Sequence, residues 1–254
     1  MIKEVIINAD DFGLKSSVNK AIVESFNKGL INNTTIMVNM PGFEEAVDLA
    51  HNNNFSDKIG IHLVLSAGSP LTKNSKSSGI FYYGDESGLK KFKGSLFFLS
   101  GEKKRGIYKE FAAQIDKANK AGLRITHIDT HHHLDDIWPI TRIILKLLQE
   151  FNIPSMRILN NLNRATPFYK ISYRKIINAY IKFRNANFSD FFGDREEGLS
   201  LLANGTKLYD NKKLEIMVHP DYNSSGLLIN RVQEKEIIFD LSEDPLKTLQ
   251  NSAL

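Results

Sequence analysis

In the stretch IINADDFGLKSS two carboxylates, Asp10 and Asp11, stand side by side after an apolar run and just ahead of Gly13. Charge at the end of a buried strand costs free energy unless it is paired or put to use. Three other places hold groups able to meet it. These are His62 in GIHLVLS, the set Asp129, His131, His132 and His133 in RITHIDTHHHLDD, and His219 before Pro220 in KLEIMVHP. One carboxylate and two imidazoles from separate strands make an open divalent-metal site with positions left for water and substrate. The candidate ligands are Asp11, His62 and His131. A bound ion would acidify a water and polarise a carbonyl, while the second carboxylate, Asp10, could act as general base.

Strand side chains alternate, so Asp10 and Asp11 should point to different sides and hold different roles. The same period places His127, Asp129 and His131 on one face and Thr126, Ile128 and Thr130 on the other. Asp129 is then placed to orient a histidine ligand. Each feature taken singly has a plainer reading: a turn for Asp-Asp before Gly, a satisfied core histidine for His62, a fortuitous cluster for the three histidines. Their coincidence at strand ends favours function.

The elements that must position these residues alternate. EVIINA, NTTIMVNM and KIGIHLVLS read as strands, with helical patterns in SSVNKAIVESFNKG and GFEEAVDLAHNN between them. After a Gly-, Ser-, Lys- and aromatic-rich stretch at about 67–101, read as a lid-like insertion, strand and helix resume in KEFAAQIDKANKAGL, RITHIDT, WPITRIILKLLQEF and PSMRIL. An aromatic, basic region from Thr166 to Phe192 has no clear assignment, and KLEIMVHP is the last clear strand. The class is α/β, with a TIM-like (β/α) barrel favoured over an open doubly wound sheet, and the Gly-rich dinucleotide fingerprint is absent. In either fold the site lies at the carboxyl ends of the strands.

The chain has 254 residues, 42% hydrophobic and 24% charged, which fits one globular domain spanning 1–254. Cysteine is absent, so thiolate ligands, thiolate catalysis and disulfides are excluded. The net charge of +4 is spread without an interleaved basic and aromatic motif, and no nucleic-acid partner is expected. With no leader pattern and no apolar run of about 18 residues, a cytoplasmic location without an integral membrane segment is expected.

The blocks NADDFGLKSSVNKAI, TTIMVNMPGFEEAVDLA, GIHLVLSAGSPLT, THIDTHHH and EIMVHP resemble, in order and spacing, the YdjC-like carbohydrate deacetylases of the chitooligosaccharide deacetylase type. The resemblance implies a distorted barrel related to the polysaccharide deacetylases and a divalent metal, zinc or magnesium. It implies hydrolysis of the acetamido group of an N-acetylated sugar to acetate and an amine, and, by analogy, a homodimer. Position by position it makes Asp11, His62 and His131 the metal ligands, Asp10 the general base and His219 the general acid. His133 and Arg157 match family positions of less defined role. Thr130 and Asp135 depart from the pattern, as does DYNSSG after Pro220. The rival readings are a metal-dependent phosphoesterase, favoured if lid cations such as Lys90, Lys91 and Lys93 reached the site, and a sugar-binding protein without turnover.

Overall fold

Strand β1 (Glu4–Phe12) is buried at every position after Glu4, as a parallel strand covered on both faces must be. It lies in the middle of a six-stranded sheet, in the order β4-β3-β2-β1-β6-β5, in a computed structural model that describes residues 2–73, 98–163, 165–184, 186–203 and 210–233. The other strands are β2 (Asn33–Ile36), β3 (Ile59–Leu63), β4 (Ile128–Thr130), β5 (Phe191–Asp194) and β6 (Lys213–Val218). All five pairings are parallel, so every strand delivers its carboxyl end to one rim.

The sheet curls until its edges meet. Met156 bridges Ile128 of β4 on one side and Asn187, just before β5, on the other. The Ile128 N–H donates to the Ser155 carbonyl and the Arg157 N–H to the Ile128 carbonyl. The result is a distorted barrel whose seam is this one segment. PSMRIL, expected as a full strand, contributes only that bridge. Its end is diverted because the Asn178 side-chain amide takes both the N–H and the carbonyl of Leu159, each at 2.8 Å.

Six helices pack outside: α1 (Ser16–Asn27), α2 (Phe43–Asn52), α3 (Gly101–Lys120), α4 (Trp138–Glu150), α5 (Phe168–Phe183) and α6 (Arg195–Ala203), among the described residues. Helix α4 shows why they form. Pro139 sits in its first turn, and Ile140, Ile143, Ile144, Leu147 and Leu148 repeat at helical spacing on the buried face. The unassigned aromatic region resolves into α5 and β5. A hairpin of β7 (Pro220–Tyr222) and β8 (Leu228–Asn230) follows β6 and had no counterpart in the sequence reading; DYNSSG supplies the end of β7 and the turn, where the Gly226 N–H donates to the Asn223 carbonyl. Most of the segment read as a lid, including Phe81, Tyr82, Tyr83, Lys90, Lys91, Lys93 and Phe97, lies outside the described residues. Among the described residues no helix is long and apolar enough to cross a membrane.

Inside the barrel the filling is polar. Its lower layer holds His127, stacked on Phe188 with ring centroids 3.9 Å apart and its Nδ1 2.9 Å from the Thr126 hydroxyl. The ring fits because Gly60 faces it: a Cβ there would come within 2.5 Å of the imidazole. Burial pushes the His127 pKa down to about 4. The unfolded chain takes up this proton near pH 6.5 and the folded one only near 4, so acid favours unfolding across that window. We expect unfolding free energies, measured by urea titration between pH 7 and 4, to fall less steeply for His127→Gln than for the unmodified protein, by on the order of 3 kcal/mol over the window. Parallel curves would refute a buried neutral imidazole.

Candidate metal centre and its polar support

The end of β1 separates the two adjacent aspartates. Register between β1 and β2 slips between Ala9 and Phe12, and Asp11 has φ 69°, a left-handed conformation uncommon outside glycine. Gly13, at φ 89°, completes the turn, and a side chain there would meet the Met37 carbonyl at 2.8 Å. Alternation alone led to the expectation of divergent side chains. The kink at Asp11 makes the divergence sharper.

Asp10 points into the barrel. Its two oxygens accept a forked pair of hydrogen bonds from Arg157, both 2.7 Å, and Oδ1 accepts a third from the Asn8 amide at 2.8 Å. The same guanidinium reaches Asp129 Oδ2 at 2.7 Å and, through Nε, Glu215 Oε1 at 2.6 Å. All these side chains are buried. Burial alone would raise the Asp10 pKa, but the charge and hydrogen bonds of Arg157 outweigh it and hold the carboxyl well below its ordinary range. Glu215 receives one bond from the cation against the two that Asp10 receives, and burial pushes it up to about 7.

Asp11 turns to the rim and meets two histidines. Its Oδ1 lies 3.1 Å from His131 Nδ1 and 3.4 Å from His62 Nε2, and the two nitrogens are 3.3 Å apart. The Asp11 Oδ1 atom is buried and forms no well-aligned hydrogen bond. On its far side His62 Nδ1 is 2.7 Å from Asp129 Oδ1, and Thr35 donates to Asp129 Oδ2 at 3.0 Å. With Nδ1 engaged by Asp129, Nε2 is the His62 ring nitrogen left facing Asp11 and His131, where it could ligate an ion once its proton is displaced. Burial works against protonation of His62, yet Asp129 and Asp11 together raise its pKa well above the ordinary value. The spot draws a cation.

A divalent ion fits here. Metal bonds of ~2.1 Å give ligand–ligand edges of ~3.4 Å in a tetrahedron and ~3.0 Å in an octahedron. The observed edges span that interval, and an orphaned carboxylate oxygen forms one corner.

His219 follows β6 with Nε2 4.0 Å from Asp10 Oδ2, and burial holds its imidazole below the ordinary range against the pull of Asp10. The three consecutive histidines do not act as a block. His132 and His133 both have positive φ, which gives the three side chains different polar partners, although the His131 and His132 rings stay close, with centroids 3.9 Å apart. His131 turns to Asp11, His132 Nδ1 lies 2.8 Å from the Ser66 hydroxyl, and His133 sits edge-on to Phe192 at 6.0 Å. Asp135 is buried and accepts from the Thr130 hydroxyl; burial pushes it up to about 7.

Sequence reasoning missed Asn8, Thr35, Glu215, Asn230 and Arg231. Two of these had a signal: Asn8 precedes Asp10 by two residues and Glu215 precedes His219 by four, both at strand period. Arg231, whose guanidinium donates to Asp11 Oδ2, had none because it arrives across the hairpin.

The fold and site define a parallel α/β barrel with a buried carboxylate–guanidinium network and a cation-attracting Asp-His-His set at the carboxyl rim. The chain belongs to the YdjC-like protein family, whose pattern matches residues 4–250. It is 32% identical over 233 residues to a carbohydrate deacetylase of Brevibacillus brevis, covering 92% of this chain and 87% of that one. Identity to a carbohydrate deacetylase of Clostridium beijerinckii is 34% over 246 residues, covering 92% and 90%. A crystal structure from Enterococcus faecalis, provisionally described as a cellobiose-phosphate cleavage protein, shares the fold at TM-score 0.66 and 23% identity, covering 89% of this chain and 84% of that one.

Removing Arg157 strands three buried carboxylates. Arg157→Met should therefore lower the unfolding free energy by about 3–5 kcal/mol. Glu215→Gln, which keeps an acceptor for Nε, should change it by about 1 kcal/mol or less. Urea denaturation at pH 7 checks both, and equal losses in the two variants would contradict the unequal sharing of the cation.

Proposed function

We propose that this chain is a metal-dependent carbohydrate N-deacetylase that hydrolyses the acetamido group of an N-acetylated sugar to acetate and a free amine. The observation that carries the reading is the triangle of Asp11 Oδ1, His62 Nε2 and His131 Nδ1, with edges of 3.1–3.4 Å, flanked by Asp10 and His219. The two curated relatives named as carbohydrate deacetylases support it.

Asp11, His62 and His131 would hold the ion, zinc or magnesium, while Asp129 would orient His62. When bound, a divalent ion supplies polarisation of the acetamido carbonyl and acidification of a water. Asp10, kept ionised by Arg157, accepts the proton as the water oxygen bonds to the carbonyl carbon. Asn8 and Arg157 occupy the lone pairs that would let Asp10 rotate, so its direction is fixed. His219 then protonates the sugar nitrogen, because an amide C–N bond breaks readily only when the nitrogen leaves as a neutral amine. Burial holds the imidazole pKa below its ordinary value, and the proton His219 delivers balances the one that Asp10 takes from the water. Acetate and amine are the products, and the proton count closes on one water.

The test is acetate release from a panel of N-acetylated sugars by protein stripped of metal and reloaded with zinc or magnesium. Asp10→Asn should keep its metal and lose about 10²–10⁴-fold in turnover. His131→Ala should lose metal and activity together. Full turnover in Asp10→Asn would remove the base assignment, and metal-loaded protein releasing no acetate from any sugar would remove the proposal.

A further inference from the structure

A carboxylate has two oxygens, and Asp11 spends them differently. Oδ1 faces both imidazoles, whereas Oδ2 accepts a hydrogen bond from the Arg231 guanidinium. Arg231 is remote in sequence and only partly buried, with 33% of its side chain exposed. It follows directly on β8, and its place is fixed from three directions. Its own N–H donates to the His219 carbonyl at 2.8 Å. Its neighbour Asn230 accepts from the His219 N–H at 2.9 Å. The hairpin that carries both is pinned to α1 and the residue preceding it, through Tyr222 to Glu24 at 2.6 Å and Asp221 to Lys15 at 2.9 Å.

Both backbone polar groups of His219 thus end on one dipeptide, and that dipeptide's side chain ends on Asp11. We infer that Arg231 is a positioning residue: it holds Asp11 as a one-oxygen ligand, reserving Oδ1 for the ion, and ties that ligand to the backbone of His219. The inference rests on the metal-site reading above. Without the guanidinium, the carboxylate could turn about its terminal torsion and offer either oxygen or both. Held by it, Oδ1 stays at the corner of the triangle, and any shift of the hairpin moves ligand and imidazole together. Partners that orient a ligand in this way are commonly worth 10–100-fold in metal affinity.

The test uses cobalt(II), titrated into the metal-free full chain against a competing chelator and followed by its visible absorption, whose intensity reports coordination number. Arg231→Ala should bind cobalt about 10–100-fold more weakly, with altered band intensity as Asp11 gains freedom to use both oxygens. Arg231→Lys, which returns one donor to Oδ2, should recover part of both. Thermal unfolding of the metal-free proteins separates this from misfolding, and if the alanine variant does not fold the lysine and Arg231→Gln variants carry the comparison. Unchanged or tighter binding with an unchanged spectrum would overturn the inference, because the guanidinium would then be idle or a competitor of the ion. No sugar enters this measurement. Unmodified protein that binds cobalt but releases no acetate would defeat the deacetylase reading alone; unmodified protein that binds no cobalt would defeat the metal site and this inference with it.

Discussion

One guanidinium shared by three carboxylates is the constraint around which this barrel is built. Arg157 is wholly buried and bonds Asp10, Asp129 and Glu215 from four directions of its planar fork. Desolvating such groups is expensive, and their attraction offsets that cost only when geometry is good and every remaining lone pair is met. Asn8, Thr35 and Ser189 supply those further bonds. Barrel interiors are commonly filled by branched aliphatic layers. Here the apolar filling lies outside the strands, in the contacts of Ile36, Ile61 and Leu63 with the surrounding helices, and the interior is given to a polar column.

That column also explains the seam. Met156 closes the sheet with a single bridge on each side, too little ladder to define the segment, yet it places Arg157 at the next position. The guanidinium then cross-links β1, β4 and β6 through side chains, where backbone pairing at the seam is sparse. Closure of the barrel and orientation of Asp10 are therefore the same interaction. A change that loosens one loosens the other.

The sequence was legible where chemistry and period coincide. Asp10, Asp11, His62, Asp129 and His131 lie on strands or at their ends, and the structure brings them within one site. Period two also marked Asn8 and Glu215, but an Asn and a Glu carry no distinctive spacing without a known partner. The partner, Arg157, sits on a segment that pattern reading takes for a strand and that, apart from the Met156 bridge, has no regular structure. Adjacent histidines mislead for the opposite reason: positive φ at His132 and His133 sends neighbours to different partners, and no periodic rule anticipates a left-handed pair. The hairpin was illegible because its strands are short and its function is exercised by Asn230 and Arg231 at the far end, eleven and twelve residues from the histidine they hold.

Charge balance links the two halves of the site. Asp10, Asp11, Asp129 and Glu215 are four buried carboxylates, and among the described residues two guanidiniums, Arg157 and Arg231, reach them. A deficit of two positive charges in a low-dielectric interior must be met by protons or by a cation. The protein's own titratable groups respond to it: Glu215 is pushed up to about 7 and His62 well above its ordinary value. One divalent ion on Asp11, His62 and His131 would cover the whole deficit at the point where the lone pairs already converge. It would also relieve His62 of its proton, since a ligand nitrogen cannot carry one. The imbalance that raises the Glu215 and His62 pKa values is thus what would favour a cation at the rim, and it would place that cation beside Asp10, which the neighbouring guanidinium holds ionised.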